Sequence, residues 1–173
     1  MSNRTPRTRT HAAAALVAAP VLALLLSCAA GSASTGEGPP AVSRTLPVVP
    51  LKCASCSGDI ARTTRAREII EDAETFRKAF LESVPEGTEV PDVDFSRFVV
   101  VAAWMGQQSN CGSALSIPSA RETESQVELE VRSSLPGNCP AEDAISYPFC
   151  FVRVEKVTKP YVFLEKSETR VCD

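Results

Sequence analysis

The stretch Phe98-Val99-Val100-Val101-Ala102-Ala103-Trp104 constrains this chain more than any other. It is continuously apolar and rich in β-branched residues, and no polar residue alternates with the apolar ones. A half-solvated strand alternates apolar and polar side chains, so an unbroken apolar run reads as a central strand covered on both faces. The rest of the folded chain has to supply those covers.

A helix is predicted over residues 73–83. Asp72 is positioned as its N-cap, Ala73, Phe76, Ala79, Phe80 and Val84 recur at helical spacing, and Pro85 stops it. Val127, Leu129 and Val131 alternate with Glu128, Glu130 and Arg132, which predicts a strand with one wet face. Further strands are expected near 114–120, 149–155 and 161–165, with turns at Pro136-Gly137-Asn138 and Lys159-Pro160. Together these elements predict an α+β domain: one helix packed on a mainly antiparallel sheet of about five strands.

The chain has seven cysteines. Cys28 is set apart by its context, and the other six, Cys53, Cys56, Cys111, Cys139, Cys150 and Cys172, form an even set expected to close three disulfides in an exported chain. The pairing expected first is Cys111–Cys139, joining the loop after the central strand to the Pro-Gly turn. Cys53–Cys56 and Cys150–Cys172 complete that set, and an exchange within those last two pairs is the competing arrangement. The motif Cys53-Ala54-Ser55-Cys56 also has a redox reading. Thiol oxidoreductases place such a pair at a helix N-terminus after a strand, where the helix dipole lowers the thiol pKa. Here a Pro-rich approach precedes the motif and Ser57-Gly58-Asp59 follows it, which favours a structural role.

Residues 1–27 have the parts of a secretory signal: Arg4, Arg7 and Arg9, then an apolar run from Ala12 to Leu26 broken only by Pro20. That run is shorter than the roughly 20 residues of a spanning helix. It ends in Leu25-Leu26-Ser27-Cys28, which resembles a lipobox, so Cys28 is expected to be acylated as the first mature residue. Multiple acyl chains hold a protein on a membrane without crossing it. Residues 28–45, with Gly-Ser-Ala-Ser-Thr-Gly-Glu-Gly-Pro-Pro at their centre, are read as a flexible tether, and 46–173 as a single domain. The expected location is the cell envelope, lipid-anchored and extracytoplasmic, in the outer membrane where the cell has one.

Eighteen basic residues stand against 21 acidic ones, and losing the signal arginines makes the chain more acidic still. Such a chain lacks the basic footprint of a nucleic-acid binder. The one histidine, His11, is expected to leave with the signal. That removes Ser–His–Asp and Cys–His catalysis and His-ligated zinc from consideration. Asp92 and Asp94 read as a solvated turn, Glu128 and Glu130 as the wet face of a strand, and Trp104 as a core or rim residue. No catalytic residue, metal site or cofactor is expected.

One longer pattern carries a resemblance. Val93-Asp94-Phe95-Ser96-Arg97-Phe98-Val99-Val100-Val101-Ala102-Ala103 leads to Met105-Gly106, then to a loop with Cys111-Gly112, then to Ser116-Ile117. The alternating strand to Val131, Pro136-Gly137-Asn138-Cys139, Tyr147-Pro148-Phe149 and Phe151-Val152-Arg153-Val154 follow in order. Over about residues 66–165 this resembles the PrcB C-terminal-domain family, named after a lipoprotein subunit that stabilises a surface protease complex. Where the family commonly has a Thr-Gly-Gly-Tyr-like segment, this chain has Asn110-Cys111-Gly112-Ser113, and Gly112 is the residue that matches. The resemblance implies an exported, non-catalytic domain that binds or stabilises another protein.

Three functions are therefore carried forward: a membrane-tethered protein-interaction module that stabilises or modulates a surface protease, an envelope lipoprotein binding a ligand or glycan, and a thiol oxidoreductase using Cys53 and Cys56. For the first, the expected contact surface is the loop Gly106–Asn110 together with Asn138–Pro148, with Gln107, Gln108 and Tyr147 as the partner-binding residues.

Overall fold

The computed structural model describes residues 43–58 and 60–173. The expected signal peptide and Cys28 lie outside the described residues. Among the described residues there are eight strands: β1 (Arg44–Leu46), β2 (Val48–Ala54), β3 (Ala66–Ile70), β4 (Phe98–Trp104), β5 (Ala114–Glu122), β6 (Val127–Leu135), β7 (Phe149–Glu155) and β8 (Tyr161–Thr169). One helix, α1 (Ala73–Leu81), joins β3 to the segment before β4. The strands form two four-stranded sheets, ordered β1-β5-β6-β8 and β2-β7-β4-β3. The pairing of β6 with β8 is parallel and the other pairings are antiparallel.

This corrects the expected fold class. The described residues are mostly β, with two stacked sheets and one short helix, rather than one helix on a single sheet of about five strands. The physical reason lies in β4. Val99, Val101 and Ala103 join Leu115, Ile117, Leu129, Val131, Val152 and Val154 in a core between the sheets. Val100, Ala102 and Trp104 point the other way, toward Phe76, Ala79 and Phe80 of α1 and Phe149 and Phe151 of β7. A nine-residue helix covers one face only, and the second sheet covers the other.

The helix begins as expected: the Asp72 carboxylate accepts from the Thr75 amide at 2.8 Å. At its far end the buried Ser83 hydroxyl donates to Ala79 O at 2.7 Å and accepts from the Trp104 indole N–H at 2.8 Å. Trp104 is thus a satisfied core residue, with the Arg62 guanidinium 3.9 Å from its ring. Asp94 caps the turn into β4, accepting from the Ser96 amide and hydroxyl at 3.0 and 2.5 Å.

Three strands were missing from the sequence reading: β1, β2 and β3. β1 starts at Arg44, two residues inside the stretch read as tether, and pairs with β5. Ion pairs tie the sheets together along their edges. Arg44 reaches Glu122 of the first sheet at 3.0 Å and Glu155 of the second at 3.3 Å, and Arg67 of β3 meets Glu165 of β8 at 2.7 Å.

Candidate functional site

The loop after β4 and the segment before β7 meet at one end of the second sheet. Gly106, with φ +79°, turns the chain out of β4; a Cβ there would lie 3.1 Å from the Arg65 amide nitrogen. The Met105 amide donates to Pro148 O at 2.9 Å. Gln108 and Ser146 then form an isolated antiparallel bridge, and the Cys111 amide donates to Glu142 O at 3.0 Å. The buried Ser146 hydroxyl donates to Asn110 O at 2.6 Å. Gly112 lies so close to the neighbouring segment that a Cβ there would fall 2.6 Å from the Pro136 Cβ. That close approach leaves room for no side chain at residue 112.

All six cysteines among the described residues are bonded; none of the three pairings expected first occurs, while Cys53–Cys150 is one product of the competing exchange. The disulfides are Cys53–Cys150, Cys56–Cys111 and Cys139–Cys172. Cys53 and Cys150 are direct cross-strand partners on β2 and β7, which removes both from the local pairings expected for them. Cys56 lies just beyond the end of β2 and takes Cys111, so Cys139 pairs with the C-terminal Cys172. There Asn138 and Cys172 exchange two further hydrogen bonds, 2.6 and 2.8 Å. The two loops are still held side by side, but by backbone hydrogen bonds and by two bridges to other segments rather than by Cys111–Cys139. Because Cys53 and Cys56 are bonded to different partners, the intramotif disulfide that a CxxC oxidoreductase needs is not formed.

The Cys56 and Cys111 sulfurs and a Glu142 carboxylate oxygen lie within 4.8 Å of one another. The two sulfurs are bonded to each other, so they offer no thiolates to a metal.

The three residues expected to bind a partner differ in what they can do. Gln107 is exposed. Gln108 is half-buried, donating from its side-chain amide to Gln107 O at 2.8 Å and accepting from Ser113 Oγ at 3.5 Å. Tyr147 is half-buried against the helix-side core, and its amide donates to Ser57 O at 3.0 Å. Gln108 and Tyr147 therefore build the loop, and Gln107 projects from it. Sequence reasoning missed Ile145, a large apolar side chain that is 56 % exposed on the same loop. Its signal was a lone large aliphatic residue in Pro140-Ala141-Glu142-Asp143-Ala144-Ile145-Ser146, outside any strand or helix pattern. Exposed Glu142 and Asp143 give this surface an acidic rim.

Among the described residues no helix is long and apolar enough to cross a membrane. No protein-family model matches the chain, and neither a curated protein nor a solved structure matches it.

Proposed function

We propose that this protein is a non-catalytic interaction module, tethered to an envelope membrane through Cys28, whose partner docks on the loop end carrying Gln107 and Ile145. The observation that carries the reading is the placement of that end. β2 runs from Val48, opposite Val154, to Ala54, opposite Phe149, so Arg44 and Glu155 lie at one end of the second sheet and the loop cluster at the other. Seven-residue β7 separates them by roughly 20 Å. A tether joining the domain near Arg44 would attach at the far end of the sheet and leave the loop end uncovered by the attachment point. Disulfides and cross-loop hydrogen bonds pre-order that surface and lower the entropy lost on docking. Its chemistry, an exposed isoleucine beside Glu142 and Asp143, suits a partner with an apolar pocket flanked by basic groups. The PrcB resemblance makes a surface protease the first partner to examine.

Partner capture from the native envelope tests this with the lipidated chain and a Gln107→Ala, Ile145→Asp double variant. Neither side chain supports the core, so the variant should fold with an unchanged melting temperature and lose the partner. Equal recovery of the same partner by both chains would overturn the docking site.

A further inference from the structure

A cavity lies at the end of the second sheet opposite the loop cluster, on the helix-facing side, and no residue of α1 lines it. It encloses about 370 Å³, within the size range of small-molecule sites. Its apolar walls are Phe98, Pro47 and Val49, and its basic groups are Arg97, Arg153 and Lys156.

The charges here are unevenly matched. Glu155, also in the lining, is held by Arg44 at 3.3 Å, and Lys156 is held by Glu71 at 3.0 Å. Neither Arg97 nor Arg153 takes part in any ion pair among the described residues. Both guanidiniums instead approach the Phe98 ring, their central carbons 5.3 and 4.9 Å from its centroid. Two like charges against one ring repel each other, and the ring quadrupole offsets only part of that cost. Moreover, Arg153 Nε is buried, and it is the one buried side-chain nitrogen or oxygen without a hydrogen-bond partner among the described residues. Buried polar groups are almost always paired, because an unpaired donor forfeits its hydration. Since no protein acceptor fixes this guanidinium, it can turn its planar fork toward an anion placed in the cavity.

We propose that this cavity binds a small organic oxyanion, a carboxylate or phosphate group carried on an apolar or aromatic body. Arg153 and Arg97 hold the charge, and Phe98, Pro47 and Val49 pack against the body. The site is separate from the loop end and does not depend on the docking reading.

Calorimetric titration of the full chain with phenyl phosphate, benzoate and inorganic phosphate, at low ionic strength, tests the proposal, with NMR following the Arg153 Nε–H resonance. The expected result is saturable binding of phenyl phosphate or benzoate that shifts this resonance, with inorganic phosphate weaker because it lacks a body to pack. The stronger of the two aromatic ligands identifies the oxyanion. Arg153→Gln should weaken binding at least about tenfold. Arg97→Gln, at an exposed position, should weaken it without affecting the fold, which keeps the test decisive if Arg153→Gln folds poorly. Absence of saturable binding by all three probes, equal binding by folded Arg97→Gln, or equal binding of the cation benzylamine would overturn the assignment.

Discussion

Gln108 and Ser146 exchange two backbone hydrogen bonds, 2.8 and 3.1 Å long, and so close the loop after β4 onto the segment before β7. The Ser146 side chain reinforces that closure from a fully buried position. Ser146→Ala should therefore lower stability by about 1 kcal/mol, the usual net worth of one such bond. Amide hydrogen exchange should quicken at Gln108 and Cys111 while β4 and β7 stay protected. Unchanged exchange at Cys111 would show that the loops do not depend on this contact.

Peptide mapping under non-reducing conditions should find Cys53–Cys150, Cys56–Cys111 and Cys139–Cys172. The bridges span sequence separations of 97, 55 and 33 residues. Replacing Cys139 and Cys172 together with Ala should cost about 2–4 kcal/mol, and removing the Cys53–Cys150 bridge should cost more because it closes the longest loop. A Cys53–Cys56 or Cys111–Cys139 peptide from native protein would contradict the fold around β2.

Acid should weaken the first sheet. Glu130 accepts from Lys166 and Arg132, both at 2.6 Å, and these bonds hold its carboxyl below the usual range; Lys159 and Arg44 do the same for Glu122, and Arg121 for Glu128. A lowered pKa in the folded state means the folded protein keeps its charge at pH values where the unfolded chain takes up protons. The stabilisation is complete above the ordinary glutamate value of 4.5 and fades as pH falls through the lowered values. Denaturation midpoints should be level from neutrality to about pH 5 and then decline. Added salt should shrink the decline, since these pairs sit at the surface. A midpoint that rises on acidification below that range would contradict the ion-pair account.

Cys28→Ser should release the protein from membranes without unfolding it, because the buried core of the described residues runs from Leu46 to Val154. Fractionation with a salt wash is the check, and sedimentation of the variant with membranes would contradict the lipid anchor.

The strands legible in the sequence were those whose own side chains form a two-faced or alternating apolar pattern: β4 to β7, and β8 through Tyr161-Val162-Phe163-Leu164. The three that were not legible, β1, β2 and β3, are all sheet edges. β2 carries Pro50 and exposes most of its residues, and β3 has Arg67 and Glu68 at its centre. Edge strands owe their conformation to a neighbour's hydrogen bonds more than to their own pattern. The disulfide map was hidden for the same reason, since Cys53 finds Cys150 only once β2 is laid beside β7. At the candidate site, the two loops are expected side by side on a Cys111–Cys139 bridge that does not form; the Gln108–Ser146 hydrogen bonds bring them together instead. The burial of Gln108 and Tyr147 was not legible, because it depends on Ser113, Ser57 and the helix-side core.

Site-specific photo-crosslinking in the native envelope addresses the docking surface most directly. A photoreactive residue is placed in turn at Gln107, at Ile145, and at exposed Glu74 on α1 as a comparison. The account predicts one discrete protein adduct from positions 107 and 145 and none from 74. Adducts of equal yield from all three positions, or none from 107 and 145 in a folded, membrane-attached chain, would contradict it.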